Sequence, residues 1–229
     1  MSLDFARGTR DQQLLRLFQL FDSQFPVGAF AHSGGLETYG QAGAGLGELR
    51  ELLGTQVELG WGRAELAAAA LAWSAASRPD PSRALTLLGT RISAHKVVPS
   101  TRDTSLRLGR RTLMLLERLY PGLFQTVVIE PPHHAVVIGA GGQLLGLPLR
   151  ELLVAYAHSM IASSIATATR CMPVSPAQGQ ELIVELQPAL EAAVSRAVDA
   201  TEDDLFTCTP GLDIRCHQQG GLKTRLFQS

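Results

Sequence analysis

The chain has 229 residues, 45% hydrophobic and only 18% charged, with a formal net charge of −1 and a sequence pI near 6.6. That size fits one domain, and with aromatics at 6% the core must be built mostly from Leu, Ala and Val. The balance of charge gives no basic face for nucleic acid, no run of about 18 apolar residues predicts a membrane span, and Cys171, Cys208 and Cys216 have no disulfide-framework spacing.

The first residues, MSLDFARGTRDQQ, carry no apolar signal core, so a reduced, cytoplasmic protein is expected. Residues 11–21 then read as a helix capped by Asp11, with Leu14, Leu17, Phe18 and Phe21 at helical spacing. The connector that follows, DSQFPVGAFAHSGGLE, is long and carries Phe25 and Phe30 among its glycines. Most helix connections are shorter, about 2–8 residues, and polar. Residues 36–41 read as a short helix stopped by Gly43 and Gly45. Residues 46–77 are helical in composition, divided near Gly60 and Gly62.

Arg78-Pro79-Asp80-Pro81 breaks the chain, and Pro81 suits the first turn of a helix reaching about Lys96. Ser100 can cap another, whose stripe is Leu106, Gly109, Leu113, Leu116 and Tyr120. The arginines of residues 102–118 lie largely off that stripe and read as a solvated face before an acidic-partner surface. The β-branched runs at 127–129 and 136–138 leave a hairpin open as an alternative to helix. Residues 148–170 are a long helix rich in small residues. Ser175-Pro176 starts another, which Pro188 would kink or restart. From Asp203 onward there is little periodicity, and 203–229 is expected to be a tail, mobile when free.

No catalytic constellation stands out. His133 and His134 are adjacent, and helix neighbours point about 100° apart, a poor arrangement for sharing one metal. Cys208, Cys216 and His217 are the best metal candidates, though they lack a CxxC or HxxxH spacing, so no metal site is expected. His158, inside an apolar helix, reads as a core or interface histidine. His32, Ser33 and Glu37 invite a hydrolase reading, but HSGGLE lacks the GxSxG elbow, and the glycines lack a Walker lysine.

FPVGAFAHSGGLE nevertheless resembles the N-terminal motif of the urease accessory protein F family, P-x-G-x-[FY]-x-x-S-x-G-L-E, through Pro26, Gly28, Phe30, Ser33, Gly35, Leu36 and Glu37. PSTRDTSLRLGRR is similar to the family's Arg-rich central helix, with Arg102, Ser105 and Gly109 in place. HHAVVIGAGGQLLG resembles the segment after it. TRLFQS resembles the terminal Arg-Leu-Phe-x-Ser through Arg225, Leu226, Phe227 and Ser229. Two positions depart from the pattern: Gly34, where a larger residue is more usual, and Gln218, where an acidic neighbour to the histidine is.

The resemblance implies an all-α, single-domain bundle of about eight to ten helices spanning 1–229, and a homodimer without cofactor or catalytic activity. It implies a scaffold between a D- or H-type accessory protein and the G-type accessory GTPase, serving nickel insertion into apo-urease. Its partner-binding residues are then Pro26, Gly28, Phe30, Ser33, Gly35, Leu36, Glu37, Arg102, Arg225, Leu226 and Phe227. Phe25 is expected to turn inward and Phe30 toward a partner, since large rings in desolvated pockets often anchor interfaces. A nickel metallochaperone binding the ion through His and Cys is the alternative reading.

Overall fold

The computed structural model describes residues 8–28 and 32–222, together with Thr224, Leu226 and Phe227. They form ten α-helices and two single-turn 3-10 helices, and none of them lies in a strand. The α-helices are α1 (Arg10–Leu20), α2 (Leu36–Gln41), α3 (Leu46–Leu59), α4 (Trp61–Ala76), α5 (Pro81–His95), α6 (Pro99–Leu119), α7 (His134–Leu144), α8 (Leu149–Cys171), α9 (Pro176–Val198) and α10 (Pro210–Gln218). The expected all-α fold is therefore found.

Two helices occupy the centre. Helix α4 buries Leu66, the run Ala67 to Ala70, Ala72, Ala75 and Ala76, and it packs against α3, α5, α7, α8 and α9. Helix α7 buries every residue from Ala135 to Gly142. These two pack closely because their facing side chains are small. A Cβ on Gly139 would fall 2.0 Å from the Ala69 carbonyl oxygen, so the backbones meet where any larger residue would hold them apart. This contact decides the open question at 136–138. Val136, Val137 and Ile138 have β-branched chains, yet the Gly and Ala residues after them make a thin cylinder that can be surrounded by helices, and burial outweighs the weak strand preference. Residues 127–129 are irregular, with Val127 and Ile129 turned into the core.

The ends of the helices follow local chemistry. Thr9, rather than Asp11, caps α1, accepting from the Gln12 N–H while the Gln12 side chain returns to the Thr9 N–H. Such a box contributes about 1 kcal/mol. Gly60 is the single-residue joint between α3 and α4. Helix α6 starts at Pro99 and not after a Ser100 cap. Ser175 caps α9 as expected, and that helix runs through Pro188 without restarting.

Helix α1 differs from its predicted stripe. Leu17 and Leu20 are buried, whereas Leu14 and Phe18 point outward with Leu15. The cause is its docking angle: Gln13 Nε2 donates to the Gly146 carbonyl at 2.7 Å and Arg16 Nη1 to that of Leu145 at 2.7 Å. These bonds turn the polar residues toward the α7–α8 corner and rotate Phe18 away. Helix α8 is long and apolar enough to cross a membrane by length and composition. Here it lies against α2, α4 and α9, with Leu152, Leu153, Tyr156 and Ile161 in the core.

Candidate functional site

The Gly-rich connector leads into α2 through Gly34 and Gly35, both in the left-handed region, with Gly35 at φ 88° as the N-cap. Glycine serves Gly35 twice. It adopts that φ without strain, and a Cβ there would sit 3.0 Å from Cys216 Sγ and from Leu212 Cδ1. The missing side chain lets α10 settle on the start of α2.

The chain's own C-terminal segment then grips α2. Glu37, 1% exposed, accepts the Leu226 backbone N–H at 2.6 Å on one oxygen and the Gln219 side-chain amide at 3.3 Å on the other. Thr38 Oγ1 donates to the Arg215 carbonyl at 3.1 Å, and Gln41 Nε2 to that of Thr224 at 2.9 Å. The Arg215 guanidinium lies 5.3 Å from the Tyr39 ring centroid, and that of Arg170 lies 4.7 Å from the Phe227 ring. Phe227 is buried. Part of the expected tail, residues 203–229, is helical, as α10, and Leu226 and Phe227 lie against α2 and α8. The ordering cost is offset by charge-assisted bonds to a carboxylate and by a buried phenyl ring worth about 2–3 kcal/mol.

Between α10 and the bundle lies a cavity of about 370 Å³, walled by residues of α2, α3, α4, α5, α6, α7 and α8. Its lining is mostly apolar, with a polar group at one side. Lys96 Nζ and the Glu65 carboxylate form an ion pair. Burial alone would raise the Glu65 pKa, but the attraction and hydrogen bond of Lys96 bring the net direction down. His134 Nδ1 and the Tyr156 hydroxyl are 3.3 Å apart. Burial pushes His134 down to about 4, Glu65 opposing and Lys96 adding. It pushes the Tyr156 hydroxyl well above its ordinary value, with Glu65 adding. Behind them His133 is fully buried between Ser93 Oγ at 2.7 Å and Ser105 Oγ at 3.1 Å, its pKa driven to about 4 mainly by desolvation. The adjacent histidines therefore serve two separate hydrogen-bond networks.

Of the residues that the resemblance assigns to partners, Ser33, Leu36, Glu37 and Phe227 are buried within the chain. Gly28 and Arg102 are half-buried, and Pro26 and Leu226 are exposed. Phe25 is half-buried and packs on the core, as expected. Phe30 and Arg225 lie outside the described residues. Among the described residues no group of three or more His, Cys, Asp or Glu gathers to hold a metal. Cys208 and His217 are exposed, and Cys216 is buried with its thiol pushed up to about 12 by desolvation and then by Asp213. Such a thiol is a poor source of thiolate. His158 is exposed, so it is not a core residue. Ser33 Oγ has no hydrogen-bond partner among the described residues, so no base activates it there.

The cavity residues Glu65, Lys96 and Tyr156 were missed from sequence, and His134 was read only as a neighbour of His133. One signal was available: Glu65 stands in AELAAAALA, where a lone carboxylate on an otherwise apolar helix asks for a partner. Nothing local pointed from Lys96 to it.

The profile of the UreF family matches residues 45–187, more than half of the chain. The chain belongs to that family. It is 31% identical to a urease accessory protein UreF of a Bacillus species over 229 residues, covering 95% of this chain and 99% of the relative. It is 29% identical to that of a Nostoc species, covering 96% and 97%, and 31% identical to that of Actinobacillus pleuropneumoniae, covering 95% and 99%. Near-complete coverage in both directions means that the buried GGLE turn, the Ala-rich α4 and α10 all fall within the aligned length. A role as an accessory protein of urease maturation follows from this membership.

Proposed function

We infer that the chain works as a non-catalytic scaffold, a cytoplasmic homodimer that bridges a D- or H-type accessory protein and the G-type accessory GTPase. It modulates that GTPase while nickel is delivered to apo-urease. The observation that carries this reading is family membership over nearly the whole chain, joined to an uncovered apolar face on α1. Leu15 is 65% exposed and Phe18 69%. Exposed rings of that kind suit a protein that is buried against others, because aromatic anchors dominate interface energies. The Arg-rich face of α6, with Arg110, Arg111 and Arg118 exposed, offers charge complementarity to an acidic partner.

Co-purification of the chain with the D-type protein, the GTPase and apo-urease tests the reading. Recovery of all four together, with urease activity after nickel is supplied, is the expected outcome. A chain that retains none of the three defeats it. Equilibrium dialysis against nickel separates scaffold from metallochaperone: stoichiometric binding by the isolated chain would favour the latter.

A further inference from the structure

The two long faces of helix α6 differ. Ser105, Gly109, Thr112 and Leu116 are buried along one side. A Cβ on Gly109 would fall 1.7 Å from the Pro132 carbonyl oxygen, so the helix lies directly against the backbone that leads into α7. That contact fixes the rotation of α6. The opposite side carries Arg110, Arg111, Met114 and Arg118, all exposed, with Met114 at 73%. Helical spacing sets them in one line along two turns, about 10–12 Å from end to end.

The positive charge of this line has little to neutralise it within the chain. Between Arg107 and Arg118 stand four arginines and a single acid, Glu117, although the net charge of the whole chain is −1. Glu117 accepts the Gly122 N–H at 2.8 Å on one oxygen and the Phe124 N–H at 3.2 Å on the other, so the turn that ends the helix already occupies it. Asp103 lies two turns before Arg110 on the same helix. Among the described residues Arg110, Arg111 and Arg118 enter no ion pair. Arg111 Nη1 donates to the Val27 carbonyl at 3.3 Å, and the Tyr120 hydroxyl, at the end of α6, donates to Gln19 Oε1 at 3.1 Å. These bonds bring the connector and the end of α1, which carries the exposed Phe18, to α6.

We propose that this line docks an acidic polypeptide surface, with two carboxylates about 10 Å apart, as two turns of a helix present them, flanking an apolar side chain that covers Met114. It rests on the scaffold reading, and the occupant is one of the proteins that the scaffold joins. A nucleic acid is the poorer match, because phosphates have no counterpart for an exposed thioether and the line is short on a chain without net positive charge. Exposed charge pairs add little to affinity but steer encounter and fix orientation. The arginines therefore act mainly on the rate of association, and the buried side of α6 holds them in place beforehand.

The full-length chain, immobilised, is exposed in turn to the D-type protein, the GTPase and apo-urease at low and at physiological salt. Arg110→Gln with Arg118→Gln should slow association of one of the three by about tenfold at low salt, flatten its salt dependence and leave the other two at parental rates. Arg78→Gln with Arg83→Gln makes the same change of net charge at exposed positions at the start of α5 and should alter none of the rates. A parent chain that binds none of the three defeats the scaffold reading and this proposal with it. Binding by the parent, with unchanged rates in the α6 variant, overturns the proposal alone. Equal slowing by the α5 pair also overturns it, because net charge would then be the cause. So does a double-stranded oligonucleotide that the parent retains and the α6 variant releases, which would make nucleic acid the occupant.

Discussion

At the scale of single residues the fold turns surface-type side chains inward and gives them partners. His133 is the clearest case. Its ordinary pKa near 6.5 falls to about 4 in the folded chain, so between those values the unfolded chain binds the proton and the folded one does not. Stability therefore falls as pH drops from about 6.5 to about 4, by about 3 kcal/mol from His133 alone. His134 shifts in the same direction. Glu65, whose folded pKa is lowered, loses its contribution as pH falls through that lowered value, which also weakens the fold in acid. Urea midpoints measured from pH 7 to pH 4 should decline accordingly. His133→Gln, which keeps a donor and an acceptor, should give a shallower decline even if its midpoint at pH 7 is lower.

Glu37 makes the second residue-scale prediction. Glu37→Ala removes the acceptor of the Leu226 N–H, and hydrogen exchange of that amide should speed up to the rate of an open chain. Glu37→Gln keeps one acceptor oxygen and should lie between. A charge-assisted bond of this kind is worth roughly 1.5–3 kcal/mol, so the two variants should be well separated. Unchanged protection in Glu37→Ala would mean that Phe227 alone holds the segment. From sequence, Glu37 reads only as the last letter of a motif. Its role depends on a backbone group 189 positions away, and no periodic pattern encodes such a pairing.

At the scale of helices, small residues determine which contacts are close. Gly139→Ala inserts a methyl group 2.0 Å from the Ala69 carbonyl and must force α4 and α7 apart. A loss of about 1–3 kcal/mol is expected from such overpacking, read by chemical denaturation. Gly54, in the middle of α3, has nothing within 4 Å of the same added group. Gly54→Ala should stabilise by about 0.5–1 kcal/mol through helix propensity. One substitution, placed in two helices, thus takes opposite signs. Most of these helices were legible because caps, prolines and apolar spacing are local. The start of α9 at Ser175-Pro176 and the span of α2 were both read correctly. Helix α7 could not be read as surely, because its apolar residues surround it completely and leave no period. Helix α10 was missed because its nine residues bury only Cys216, and its placement comes from α2 rather than from its own pattern.

At the scale of the whole molecule, one part of the apolar surface is unspent. The double variant Leu15→Glu, Phe18→Glu should keep the helical signal and the denaturation midpoint of the parent, since neither side chain contributes to the core. It should nevertheless lower recovery of the chain with its accessory partners, or shift its mass toward a monomer in light scattering. A collapse of stability would show instead that α1 needs these side chains. Composition hinted at such a surface, because only 18% of the chain is charged. It did not say which helix carried it, since the rotation of α1 is set by Gln13 and Arg16 reaching carbonyls of the α7–α8 corner.

The grip of the C-terminal segment on α2 also has a meaning in time. A chain made from its N-terminus presents Leu36–Gln41 early, whereas the groups that bond to Glu37, on Gln219 and Leu226, follow 182 and 189 positions later. Through most of synthesis this carboxylate is open to water, and the wall that α10 supplies to the cavity has not arrived. The helical body can assemble around α4 and α7 in that interval, but the GGLE turn can be covered only once α10, Gln219 and Leu226 have emerged. A nascent chain stalled before Gln219 would therefore display a folded bundle with an exposed acid, a form that the folded protein conceals.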